Sequence, residues 1–163
     1  MSDPVPNAAA FMEGPDGRSH RLPVRIYYED TDAGGIVYHA NYLRYAERAR
    51  SEMLRDMGFG QAALRDDHGI AFAVHGIAID YVAPARLDDL LWVATRVLSV
   101  GGATIEAEQR VERDGGLLVR MHIRLACLGE GLRPARLPKG LRQALQVLVH
   151  PTSAIFVVTL LAS

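Results

Sequence analysis

Residues 28–42, YEDTDAGGIVYHANY, concentrate side chains that can do chemistry. Glu29, Asp30 and Asp32 fall within four positions, Gly34 and Gly35 follow, and His39 stands seven positions after Asp32. A carboxylate can activate water as a general base or attack a carbonyl itself. A nearby histidine can orient water, polarise a carbonyl or protonate a leaving group. Paired glycines let a backbone turn sharply and come close to a substrate. Each residue alone is ordinary in a turn, where aspartate and glycine are common. The set of Tyr28, Asp32, Gly35, Val37, His39 and Tyr42, placed just ahead of a helical pattern, is what points to function. Asp30 and Asp32 could together hold Mg²⁺, but no further ligands accompany them. His68, His75 and His122 lack metal-ligand spacing, so no metal is expected.

Two elements must position this stretch. Before it, His20 to Tyr28 reads as a strand with Leu22, Val24, Ile26 and Tyr28 on one face. After it, Asn41 to Met57 reads as a helix with an apolar stripe of Tyr42, Ala46, Ala49, Met53 and Met57. Asn41 suits the N-cap and Gly58 the C′ position. A shorter helix is expected over Gln61 to Asp67. From Gly69 the period becomes two, through Ile70, Phe72 and Val74, then Ile77, Ile79 and Tyr81, with a phase shift near Gly76 that suggests a bulge. Strands at Leu90–Val100, Thr104–Arg113 and Leu117–Leu128 are joined by glycine-rich hairpin turns. Lys139 to Val149 closes the pattern as a short helix. The fold class is therefore α+β, a curved antiparallel sheet of about five strands against one long helix. Its open edges and uncovered face call for a partner subunit.

The bulk composition excludes several classes. A chain of 163 residues suits one domain, read as a loose segment 1–19, a core domain 20–149 and an apolar tail 150–163. Basic and acidic residues number 18 and 19, which gives no nucleic-acid footprint. Cys127 is the single cysteine, which fits a reducing, cytoplasmic compartment. The N-terminus lacks the pattern of a secretory signal. Ile155 to Ala162 is apolar apart from Thr159 but far short of the roughly 20 residues of a spanning helix. It is expected to dock on the body or a subunit contact, with membrane contact at most peripheral.

The pattern Y-x-x-x-D-x-x-G-x-V-Y-H-x-x-Y ahead of a long helix resembles the 4-hydroxybenzoyl-CoA thioesterase branch of the hotdog-fold superfamily. The stretch YVAPARLDDLL at 81–91 and LPK at 137–139 make it similar to the acyl-CoA thioesterases encoded with the Tol–Pal envelope system (YbgC-like). The resemblance covers roughly residues 22–145. It implies a hotdog fold and hydrolysis of acyl-CoA without a cofactor, CoA being part of the substrate. It places the catalytic carboxylate on Asp32, the motif histidine on His39 and the motif tyrosine on Tyr28. It puts Gly35, Val37 and Tyr38 against the substrate, with a backbone donor to the thioester carbonyl near Tyr38 and His39. It also implies a site at a dimer interface, with dimers or tetramers.

The chemistry agrees with those residue types. The leaving thiol has a pKa of about 8.5 and departs as thiolate with little acid help. Hydrolysis then needs an activated oxygen and a group that stabilises the oxyanion. Asp32 can supply the first as base or nucleophile, and the free N–H groups at the helix start the second. The turn Val100-Gly101-Gly102-Ala103 carries no cation for CoA phosphates, although relatives often place one there. Arg133, Arg136 and Lys139 are substitutes, and an acyl-carrier protein is an alternative donor. A non-catalytic docking protein for acyl carriers or lipid-synthesis enzymes is the rival reading.

Overall fold

The computed structural model describes residues 9–149. Strands β1 (Ala10–Gly14) and β2 (Gly17–Arg25) form an N-terminal hairpin. A 3₁₀ turn at Tyr28–Asp30 leads through the acidic loop into α1 (Asn41–Asp56), and α2 (Gln61–His68) follows. Then come β3 (Ala71–Tyr81), β4 (Leu90–Val100), β5 (Thr104–Arg113), β6 (Gly116–Leu128) and α3 (Lys139–Leu148). All pairings are antiparallel, in one six-stranded sheet ordered β1-β2-β4-β5-β6-β3.

The alternation of β4, β5 and β6 buries one side of the sheet, with Leu91, Val93, Val97, Val111, Met121 and Ile123 nearly inaccessible. Onto this face α1 lays Tyr42, Tyr45, Ala46, Ala49, Met53 and Leu54. Ala46 and Ala49 are fully buried; their small side chains let the helix backbone come close to the strands. A polar knot fixes the docking. Gln109, fully buried, donates to the Ala46 carbonyl and the Thr95 hydroxyl, both at 2.9 Å, and accepts from Arg50. With its amide satisfied on both sides, it sets the height of α1 over β4 and β5 instead of costing stability. The loop ahead of α1 is therefore carried on a rigidly placed helix.

Several local expectations change. Residues 10–19, read as loose, belong mostly to the β1–β2 hairpin, which supplies the sixth strand; the five residues AFMEG of β1 are too few and too irregular to show a period of two. The strand expected to reach Tyr28 ends at Arg25, and Tyr28 lies in the 3₁₀ turn with its side chain exposed. Ile26 still reaches the core, because its N–H and carbonyl bond the Asp89 and Asp88 backbones instead of a strand ladder. The bulge anticipated near Gly76 falls between Val74 and Gly76. The apolar tail lies outside the described residues, and no described helix is long and apolar enough to cross a membrane.

Candidate active site

The acidic loop is closed at both ends by one peptide. The Asp30 carbonyl accepts the Tyr38 N–H at 3.0 Å and the Asn41 side-chain amide at 2.9 Å. The chain from 30 to 41 is thereby folded back on itself, with Asp32 on one limb and the start of α1 on the other. Inside this closure, Thr31 bridges Val37, and the Asp32 N–H donates to the Ile36 carbonyl at 2.9 Å. Ile36 in turn bridges Arg86, and the Val37 N–H donates to the Ala85 carbonyl, which pins the loop to the segment entering β4.

Asp32 is exposed at the tip of the loop. Its Oδ1 accepts the Gly34 N–H at 2.8 Å, which aims the carboxylate and leaves Oδ2 without a protein donor among the described residues. A Cβ on residue 34 would stand 3.1 Å from that same Oδ1, so a side chain there would push the carboxylate aside. Gly35 has φ of +78°, a conformation that side chains disfavour. The paired glycines are thus explained separately, one by proximity to Asp32 and the other by backbone angle.

At the other limb, α1 begins without a side-chain cap. Asn41, expected to cap the helix, is its first residue, with Ala40 at the cap position, and its side-chain N–H₂ donates to the Asp30 carbonyl. The Tyr38 carbonyl accepts the Asn41 N–H at 2.9 Å, which makes Tyr38 the residue that closes the first turn. The N–H groups of His39 and Ala40 then stand as the first orphan donors of the helix. Among the described residues neither has an acceptor, whereas the Tyr38 N–H is already occupied by Asp30. The Tyr42 N–H has no acceptor among the described residues either.

The His39 ring lies exposed between Tyr38, at 4.5 Å between centroids, and Tyr81 at 6.3 Å. Beside it an apolar concavity of about 340 Å³ is lined by Val37, His39, Tyr42, Tyr81, Val82 and neighbouring residues. Tyr42 is buried beneath it, and desolvation pushes its phenol above the ordinary range. Tyr45, one turn on, is raised well beyond that range by burial and then by the nearby Asp30 carboxylate, though no well-formed hydrogen bond joins them. Neither phenol is a proton donor of catalytic strength. A separate cavity of about 210 Å³ lies under the second half of α1, lined by Arg50, Met53, Phe72, Val97, Leu125 and others, and shares no residue with the first.

The roles of three participants were only partly read from the sequence. Asp30, read as facing solvent or hydrogen-bonding the loop, does the latter: it is the fastener of the loop through its carbonyl, and its Oδ2 also accepts the Tyr27 N–H at 2.7 Å. A backbone carbonyl leaves no mark in side-chain spacing, so only the structure reveals it. Asp89, expected to cap a strand entry and face solvent, does accept the Arg86 N–H just ahead of β4, and it also accepts from the Arg113 guanidinium. Burial would raise its carboxyl, but these donors outweigh it and hold it below the ordinary aspartate value. Tyr81 stands at the head of a quoted motif, yet its hydroxyl reaches the His39 carbonyl at 2.9 Å, a contact no periodicity discloses. Tyr28 stays 83% exposed, outside the concavity, and joins no other expected site side chain within this chain.

Comparison with known proteins matches this arrangement to a family. Residues 34–120 match the thioesterase superfamily. The chain is 49% identical over 124 residues to the acyl-CoA thioesterase YbgC of Haemophilus influenzae, covering 76% of this chain and 91% of that one. It is 45% identical over 123 residues to the acyl-CoA thioester hydrolase YbgC of an Escherichia coli strain, covering 74% and 91%. The fold superposes on a probable thioesterase from Bartonella henselae with a TM-score of 0.71 at 38% identity, covering 74% of this chain and 99% of that one. With its curved sheet, single long helix and loop–helix junction, the chain belongs to the thioesterase superfamily of hotdog fold.

Proposed function

We propose that the protein hydrolyses acyl-CoA thioesters to free acid and CoA, with Asp32 as the working carboxylate. The observation that carries this reading is the closure by the Asp30 carbonyl, which folds the chain between a carboxylate with one free oxygen and a helix start where, among the described residues, the N–H groups of His39, Ala40 and Tyr42 have no acceptor. Oδ2 of Asp32 activates a water or attacks the thioester carbon; both routes use the same oxygen. Negative charge that develops on the carbonyl oxygen is received by the His39 and Ala40 N–H groups, aided by the helix dipole. The thiolate then departs, and His39 is placed to return a proton to it. The protein supplies no cofactor to these steps.

Gly35 and Val37 shape the loop against the substrate, and Tyr38 and Tyr28 form its exposed rim. The site is completed by a second subunit in a dimer or tetramer. β3 is a long sheet edge with Val74, Ile77 and Tyr81 exposed, the kind of edge a second copy covers. The single cysteine supports a cytoplasmic location, and the motifs at 81–91 and 137–139 support association with the Tol–Pal system. An acyl-carrier protein is the alternative bearer of the thioester.

The test is thiol release from a panel of acyl-CoAs from short to long chains, alongside the same acyl groups on a carrier protein. Turnover on at least one acyl-CoA is expected. Absence of turnover on every thioester, together with tight carrier binding, would establish the docking role instead.

A further inference from the structure

The open N–H groups of His39 and Ala40 are held by different parts of the molecule. A trans peptide keeps a carbonyl and the following N–H antiparallel in one plane, and the described chain has no cis bond. The direction of the His39 N–H is thus set by the Tyr38 carbonyl, and that of the Ala40 N–H by the His39 carbonyl. The Tyr38 carbonyl is fixed from within the first turn by the Asn41 N–H. The His39 carbonyl is fixed from the sheet, by the Tyr81 hydroxyl at the end of β3.

That second anchor replaces a helical bond. In a regular α-helix the His39 carbonyl would accept the N–H four residues on, at Leu43. Here the Leu43 N–H goes instead to the Ala40 carbonyl at 3.2 Å, which leaves the His39 carbonyl to Tyr81. The Tyr81 ring is itself held edge-on by Tyr42 at 5.8 Å, and the Tyr42 hydroxyl accepts the Ala85 N–H at 3.1 Å. The hydroxyl is therefore a placed donor despite the half-exposed ring.

We propose that Tyr81 is a positioning residue for the oxyanion site: its hydroxyl holds the His39 carbonyl out of the helical ladder and so keeps the Ala40 N–H aimed at the reacting carbonyl. This rests on the thioesterase reading. Removing the hydroxyl frees the His39 carbonyl to join Leu43 and turns the Ala40 peptide away. The ring and its packing remain.

The experiment is steady-state kinetics of the full chain, wild type against Tyr81→Phe and Tyr81→Leu, on the best acyl-CoA, with thermal melting of each. Removing an oxyanion donor costs about 10²–10³ in kcat; one of two donors misaimed should cost about tenfold. Tyr81→Phe is expected to lose that factor in kcat with KM within about twofold and an unchanged melting temperature, and Tyr81→Leu to lose at least as much. A Tyr81→Phe variant with wild-type kcat, or one whose loss lies in KM, overturns the proposal. So does full activity in Phe beside a collapse in Leu, which would show that only the ring matters. A wild type inactive on every acyl-CoA overturns this proposal and the thioesterase reading together, whereas an active wild type with an unaffected Phe variant overturns the Tyr81 role alone.

Discussion

The two ends of α1 are built to opposite plans. At the C-terminal end Met57, Gly58 and Phe59 turn their N–H groups back onto the Met53, Arg55 and Leu54 carbonyls. Gly58 takes φ of +88°, the left-handed conformation that permits this closure. At the N-terminal end the cap position is held by Ala40, which has no side-chain acceptor to offer, and the N–H groups of His39, Ala40 and Tyr42 are left without acceptors among the described residues. One end is finished for stability. The other is left open, and a residue that would close it is absent from a position where serine or aspartate is favoured. The difference teaches where this chain exchanges helix stability for a place to hold negative charge.

That contrast can be broken by closing the open end. Tyr38→Asp puts a carboxylate at the residue whose carbonyl starts the first turn, within reach of the orphan donors. We expect kcat to fall about 10²-fold or more, as when an oxyanion donor is lost, while stability rises by up to about 1 kcal/mol. Opposite signs in kinetics and in chemical denaturation are the signature; a loss of both would mean that the rim tyrosine matters for packing alone.

A smaller effect is expected at the His39 side chain. The thiolate leaves with little acid help, so His39→Ala should cost no more than about 10²-fold in kcat, the low end of general acid–base effects. Its backbone N–H survives the substitution. A loss comparable to that of an Asp32 variant would make the imidazole, and not the helix end, the main partner of the carboxylate.

At the closed end the expectation reverses. Gly58→Ala forces a β-carbon into left-handed backbone and should cost about 1–2 kcal/mol of stability, with kcat unchanged at a temperature where the variant is folded. Smaller still is a pH effect at Asp89. Its carboxyl is held low, so the stabilisation is present above the ordinary aspartate pKa of about 3.9 and disappears as pH falls through the lowered folded value. Asp89→Asn should therefore be less stable than wild type at neutral pH, the gap closing in strong acid; a gap independent of pH would remove the ion pair with Arg113 from the explanation.

How much of this was legible in the sequence follows the range of the forces involved. The body of α1, its Gly58 stop, α2, and the strands β3 to β6 with the bulge were readable, because apolar period and glycine angle are local. The β1–β2 hairpin was not, since a five-residue edge strand is stabilised by its neighbour rather than by its own pattern. Asp32 and His39 were named by spacing and type; the structure places Asp32 exposed at the tip of the loop and His39 just ahead of α1. Asn41 shows the limit: its type favours a cap, but the cap position falls on Ala40 and Asn41 is the first residue of the helix, its side-chain N–H₂ donating to the Asp30 carbonyl. Asp30 and Tyr81 act through backbone carbonyls, to which any residue type could contribute, so no side-chain pattern reports them.

The most direct measurement is the turnover of Asp32→Asn on the best acyl-CoA, followed by thiol release. The substitution keeps shape and an oxygen able to accept the Gly34 N–H, but removes the charge that activates water or attacks the thioester. We expect kcat to fall by about 10²–10⁴ with the fold intact by circular dichroism. An Asp32→Asn enzyme that keeps nearly full turnover would contradict the assignment of the working carboxylate.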